Sequence, residues 1–101
     1  MATQSLKMKI GIVEYDFNKV IEVWIRKECR REARKIIKIM LNWETRYSYV
    51  MLVELVIYHE KGMGNIVCSH LDFMKSRLVD FGRMKPGGCF GEPLEELEKE
   101  D

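Results

Sequence analysis

Hydrophobic and polar residues alternate over residues 6–15 (LKMKIGIVEY), with Met8, Ile10 and Ile12 on one side and Lys7, Lys9 and Gly11 on the other. A period of two belongs to a half-buried strand. Asp16 follows, where it can N-cap a helix. Over residues 17–43 the period changes. Cys29, Ala33, Ile36, Ile37 and Met40 recur at helical spacing, with Arg26, Arg30, Arg31, Arg34, Lys35 and Lys38 opposite. Phe17, Val20, Ile21 and Trp24 form a second stripe, rotated from the first by roughly a third of a turn or more at ~100° per residue. The pattern predicts one long helix that contacts two layers or bends. A strand over residues 19–25, hairpinned to the first, is the alternative that its β-branched residues allow.

Residues 46–59 (RYSYVMLVELVIYH) read as a long strand. Tyr47, Tyr49, Met51, Val53, Leu55 and Ile57 fill one face, and Val50, Leu52, Val56 and Tyr58 most of the other. A strand apolar on both faces is central and covered on both sides. Lys61, Gly62, Met63 and Gly64 make a turn, and residues 65–68 begin a return strand. Ser69, with Asp72 three residues on, can cap a helix over residues 70–81. Leu71, Met74 and Leu78 give that helix its apolar stripe, and Gly82 stops it. The competing reading runs the return strand on through Leu71 and Phe73. Residues 82–93 read as a loop, and Pro93 starts a short acidic helix over the last nine residues.

These elements predict an α+β fold: a three- or four-stranded antiparallel sheet packed on one long helix, plus a shorter helix. The order βαββα resembles a truncated ferredoxin-like layout, which implies a fold class and no activity. Residues 1–85 form a single domain in this reading, and 86–101 a Gly/Pro loop with an acidic tail.

A chain of 101 residues with 47% hydrophobic residues can build a core without staples. Its formal net charge of +1 points to no partner, but the charge is unevenly placed. Residues 26–38 hold seven basic side chains against two acidic ones, and Glu92–Asp101 holds six acids and one lysine. Cys29, Cys68 and Cys89 are odd in number and form no CxxC, which reads as reduced thiols in a reducing compartment. No apolar run approaches the ~18 residues of a membrane span, and Met1–Lys9 lacks a signal-peptide core. The expected setting is cytoplasmic, with the nucleus open.

Arg26, Lys27, Arg30, Arg31, Arg34, Lys35 and Lys38 are the candidate nucleic-acid or anion contacts. Rows of like charge at i, i+4 repel unless they meet phosphate, carboxylate or water, and arginine forks suit phosphate. The plainer reading is a solvated helix face. Trp24 and Trp43 could stack on bases, although tryptophan more often anchors a core or an interface. Cys68, His70, His59 and Cys89 would approach one another if the return strand extended, but their spacing matches no zinc motif. The expectation is no metal and no cofactor. Glu54, inside an apolar run, is either paired with an arginine or a general base acting with His59 or His70. No catalytic triad spacing is present. Gly87, Gly88 and Gly91 fail the phosphate-loop templates, and no catalytic residue is assigned.

The strand's two apolar faces exceed what a chain of this length can cover with its own helices. A second subunit is therefore expected, with Trp24, Val50, Leu52, Val56 and Tyr58 as candidate interface residues. The functional expectation is a small homodimeric regulatory or adaptor protein that binds a macromolecular partner. A nucleic-acid-binding protein is the first alternative and a small enzyme the second.

Overall fold

The hairpin, the helices and the turns between them follow from the computed structural model, which describes residues 6–84. Strands β1 (Lys7–Ile10) and β2 (Val13–Asp16) pair antiparallel; helices α1 (Asn18–Trp24), α2 (Arg30–Trp43), α3 (Arg46–Glu60) and α4 (Gly64–Met84) follow. The molecule is α+β and mostly helical. Among the described residues the sheet has two strands, not three or four, and the order ββαααα replaces βαββα.

The alternating segment is both strands of a hairpin rather than one strand. Met8 and Ile10 face inward as the period requires, while Gly11 and Ile12 form the turn. Gly11 has φ +66°, the left-handed first position of a tight hairpin turn that glycine alone takes cheaply. Ile12 is almost fully exposed. Opposite charges face one another across the ladder, Lys7 with Asp16 and Lys9 with Glu14. The Asp16 carboxylate accepts from the Asn18 N–H at 3.0 Å, bridging the strand into α1.

The expected long helix over 17–43 is two helices. Ile25 and Arg26 are extended, and a 3₁₀ turn at Lys27–Cys29 precedes α2. The two stripes explain the break. A straight helix would aim Phe17, Val20 and Ile21 away from Ala33, Ile36, Ile37 and Met40; breaking it buries both sets in one core. Arg30 seals the break, donating Nε to the Ile25 carbonyl at 3.0 Å and Nη2 to the Glu22 carbonyl at 3.3 Å. Cys29, placed on the apolar stripe by spacing, is exposed.

The expected central strand is helix α3. Thr45 and Ser48 form a capping box: Thr45 Oγ1 accepts from the Ser48 N–H at 3.0 Å, and Ser48 Oγ from the Thr45 N–H at 3.0 Å. The helix ends in a Schellman pattern at Gly62, φ +69°, with Gly62 N–H on the His59 carbonyl and Met63 N–H on the Tyr58 carbonyl, both at 3.0 Å. The expected return strand at 65–68 is the first part of α4, and the helix expected over 70–81 lies inside it.

One buried cluster runs from Leu6 to Leu78 and takes residues from the hairpin and all four helices. Helix α2 packs on α1, α3 and α4, and α3 packs along α4. Residues 86–101, with Cys89, the glycine pattern and the acidic tail, lie outside the described residues.

Candidate binding surfaces

Helix α3 is apolar all round, yet only one side of it meets the core. Ser48, Met51, Leu52 and Leu55 are buried. Val50, Val53 and Ile57, at i, i+3 and i+7, lie on the opposite side. On α4, Val67, Leu71, Met74 and Leu78 face the core, while Ile66 and Phe73 stand outside that stripe. Fractional exposure is 49% for Val50, 43% for Ile57, 40% for Ile66 and 45% for Phe73.

Met51 and Tyr58 of α3 meet His70 of α4 at the seam between the two helices. His70 Nε2 donates to the Met51 carbonyl at 2.8 Å, and the Tyr58 ring meets His70 edge-on with centroids 5.4 Å apart. Phe73 lies beside His70 on α4, one turn on, with centroids 6.3 Å apart. The Arg77 guanidinium sits 5.3 Å from the Phe73 ring centre. Half-buried Glu54 lies on the same shoulder of α3. The result is an apolar band with one carboxylate and one guanidinium in it. Residues read from a strand pattern gave part of this band. Val50 is in it; Val56 and Tyr58 are half-buried against the core. Leu52, 1% exposed, is core and not interface, because a helix turns it inward where a strand would have turned it out. Ile66 and Phe73 were missed; their signal was a second helical row, seven apart, beside the Leu71 stripe.

Trp24 does not lie in the band. Its six-membered ring sits over Gly64, where a Cβ would collide with it. Trp43 packs edge-on against Phe81 at 4.8 Å and Tyr47 at 5.8 Å, an aromatic anchor between helices rather than a base-stacking platform.

The seven basic residues divide. Arg26 and Lys27 belong to the turn, and Arg26 pairs with Glu28 at 3.4 Å. Arg30 caps α1. Arg31, Arg34, Lys35 and Lys38 remain on one side of α2, and no acid of α2 shares it. Arg31 and Lys35 also have partners within the protein. Glu32 points elsewhere, bonded to Lys75 at 2.8 Å.

The acid–base and metal candidates are not brought together. The Tyr15 hydroxyl and His59 Nδ1 are hydrogen-bonded at 2.6 Å, while His70 is held by the Met51 carbonyl. Glu54 makes no ion pair among the described residues and joins neither histidine. No group of three or more His, Cys, Asp or Glu suited to a metal ion occurs among the described residues. No helix there is long and apolar enough to cross a membrane.

Comparison of the chain with protein-family models, with curated proteins and with solved structures finds no match in any of the three.

Proposed function

We propose that this chain is a small homodimeric regulatory or adaptor protein, acting by binding rather than by catalysis, whose two copies meet through the outer faces of α3 and α4. The observation that carries the reading is the band of Val50, Ile57, Ile66 and Phe73, each 40–49% exposed on two adjacent helices. Exposed apolar side chains gathered on two packed helices mark an interaction site more often than scattered ones do. A two-fold pairing suits it. With α3 of one copy laid on α4 of the other, Glu54 meets the partner's Arg77, and both apolar rows are covered in a four-helix layer.

Light scattering at increasing concentration tests this. The mass should approach twice the 12.0 kDa of one chain. Ile57→Asp and Phe73→Asp should hold it at a single chain while leaving the helical circular dichroism unchanged. A single-chain mass at the highest soluble concentration rejects the reading.

A second reading, contact with RNA or DNA backbones, is favoured by the gathering of Arg31, Arg34, Lys35 and Lys38 on one side of α2. Four phosphate contacts give a log–log salt slope of about −3 to −4 on duplex. Replacing Arg31 and Arg34 with Ser should flatten it, and an unchanged slope removes this reading.

A further inference from the structure

The β-hairpin lies across α3, and α3 continues past it. Tyr15 of β2 bonds to His59 in the last turn of the helix. Met8, the partner of Tyr15 in β1, lines a cleft with Leu52, and that cleft runs on over Ser48 and Thr45 at the helix start. From Leu52 back to Thr45 is about 10 Å along the helix axis, against ~4.8 Å between paired strands. The cleft, ≈ 560 Å³ in volume, therefore has room for a further strand beside β1.

The main chain of β1 is turned toward that side. The Phe17 N–H donates to the Leu6 carbonyl at 2.9 Å. Bonded pairs alternate along an antiparallel ladder, so in this register Met8–Tyr15 and Ile10–Val13 are the bonded pairs. Lys7 and Lys9 point their N–H and C=O groups away from β2, and these groups have no partner among the described residues. Both side chains are exposed and make no ion pair among the described residues. A short strand with lysines is kept from pairing with a copy of itself, because two β1 edges would set lysine against lysine. It is not kept from a strand of opposite charge.

We propose that the outer edge of β1 docks an extended segment of another protein, with acidic side chains at alternate positions and an apolar one between them. The segment adds to the hairpin antiparallel, as its third strand. Its acidic residues exchange main-chain hydrogen bonds with Lys7 and Lys9 and carry their carboxylates on the lysine side of the sheet. The residue between them points inward, over Met8 and Leu41. Glu44, on the far wall of the cleft, repels an acid at that inward position, so an alternating run fits better than a wholly acidic one. The surface uses none of the α3–α4 band and does not depend on dimer formation.

The test uses the full-length, isotope-labelled chain and the peptide acetyl-Val-Glu-Val-Glu-Val-amide as probe. The peptide should move the amide signals of Lys7 and Lys9 to saturation and slow their hydrogen exchange several-fold. The same peptide with lysine in place of glutamate should not bind. N-methylation of both glutamate amides, which face β1 in this pairing, should abolish binding, while N-methylation of the central valine, which faces away, should leave it intact. Lys9→Pro removes one outward donor and no ladder bond; it should weaken the peptide about fivefold with the helical circular dichroism unchanged. If millimolar peptide moves neither lysine amide, if the two methylated peptides bind alike, or if the lysine peptide binds as well, the proposal is overturned. If the peptide binds only after Glu92–Asp101 is deleted, the occupant is the chain's own acidic segment, and docking of a partner is overturned as well.

Discussion

Burial pushes the Tyr15 hydroxyl from its ordinary 10.0 up to about 12, with the carboxylates of Glu60 and then Asp16 adding to the effect. The phenol therefore stays protonated, and its 2.6 Å hydrogen bond with His59 Nδ1 ties β2 to the last turn of α3. The raised value sets the direction of a pH effect. Below pH 10 the group is protonated in both folded and unfolded chains and adds no slope. Between 10 and about 12 the unfolded chain has released the proton and the folded chain still holds it, so stability falls as pH rises through that window. Urea midpoints across this range should drop less for Tyr15→Phe than for the native chain. At neutral pH the same substitution should cost about 1 kcal/mol for the lost hydrogen bond. Equal slopes above pH 10 would mean that Tyr15 is not held as described. That tie was not readable beforehand. Tyr15 and His59 are 44 residues apart, and the strand assigned to 46–59 would have aimed His59 elsewhere.

Elements were legible where period and phase were both informative. The alternation over 6–15 gave one strand where the fold has a hairpin, and the phase difference between the Phe17 and Ala33 stripes gave a helix that bends or meets two layers where the fold has two helices. The break itself was missed because residues 25–29 hold neither proline nor glycine; Arg30 stabilises it through a contact only the fold creates. The larger error was residues 46–59. A run apolar at nearly every position fits period two and period 3.6 alike, so periodicity cannot choose. Its length, beyond the usual 4–8 residues of a strand, and the Thr45–Ser48 box at its start were the signals that could have decided. That box is the handle for a test at this scale. Thr45→Ala should lower stability by about 1 kcal/mol, read as a urea midpoint shift with unchanged slope. No shift would show that the cap contributes nothing to α3.

For the molecule as a whole, the expectation of surplus apolar surface rested on a strand that does not exist; the helix in its place still leaves two of its apolar side chains exposed. Helix α3 buries Met51, Leu52 and Leu55 and leaves Val50 and Ile57 out; the hydrophobic content of the segment exceeds one core-facing side in either geometry. What the sequence could not show was which side. That depends on α4 lying along α3, a contact between segments that had been read as a central strand and as a short return strand followed by a helix over 70–81. The basic cluster fared the other way: it looked like seven residues on one helix face and becomes four once the turn at Lys27–Cys29 and the Arg30 cap are in place.

The pairing of α3 with a second copy's α4 is most directly tested by isotope-filtered NMR on a mixture of labelled and unlabelled chains. Cross-peaks from labelled Val50 and Ile57 methyls to the unlabelled partner's Phe73 ring are expected. Their absence at millimolar concentration, where the native seam signals between Tyr58 and His70 remain visible within one chain, would contradict the account.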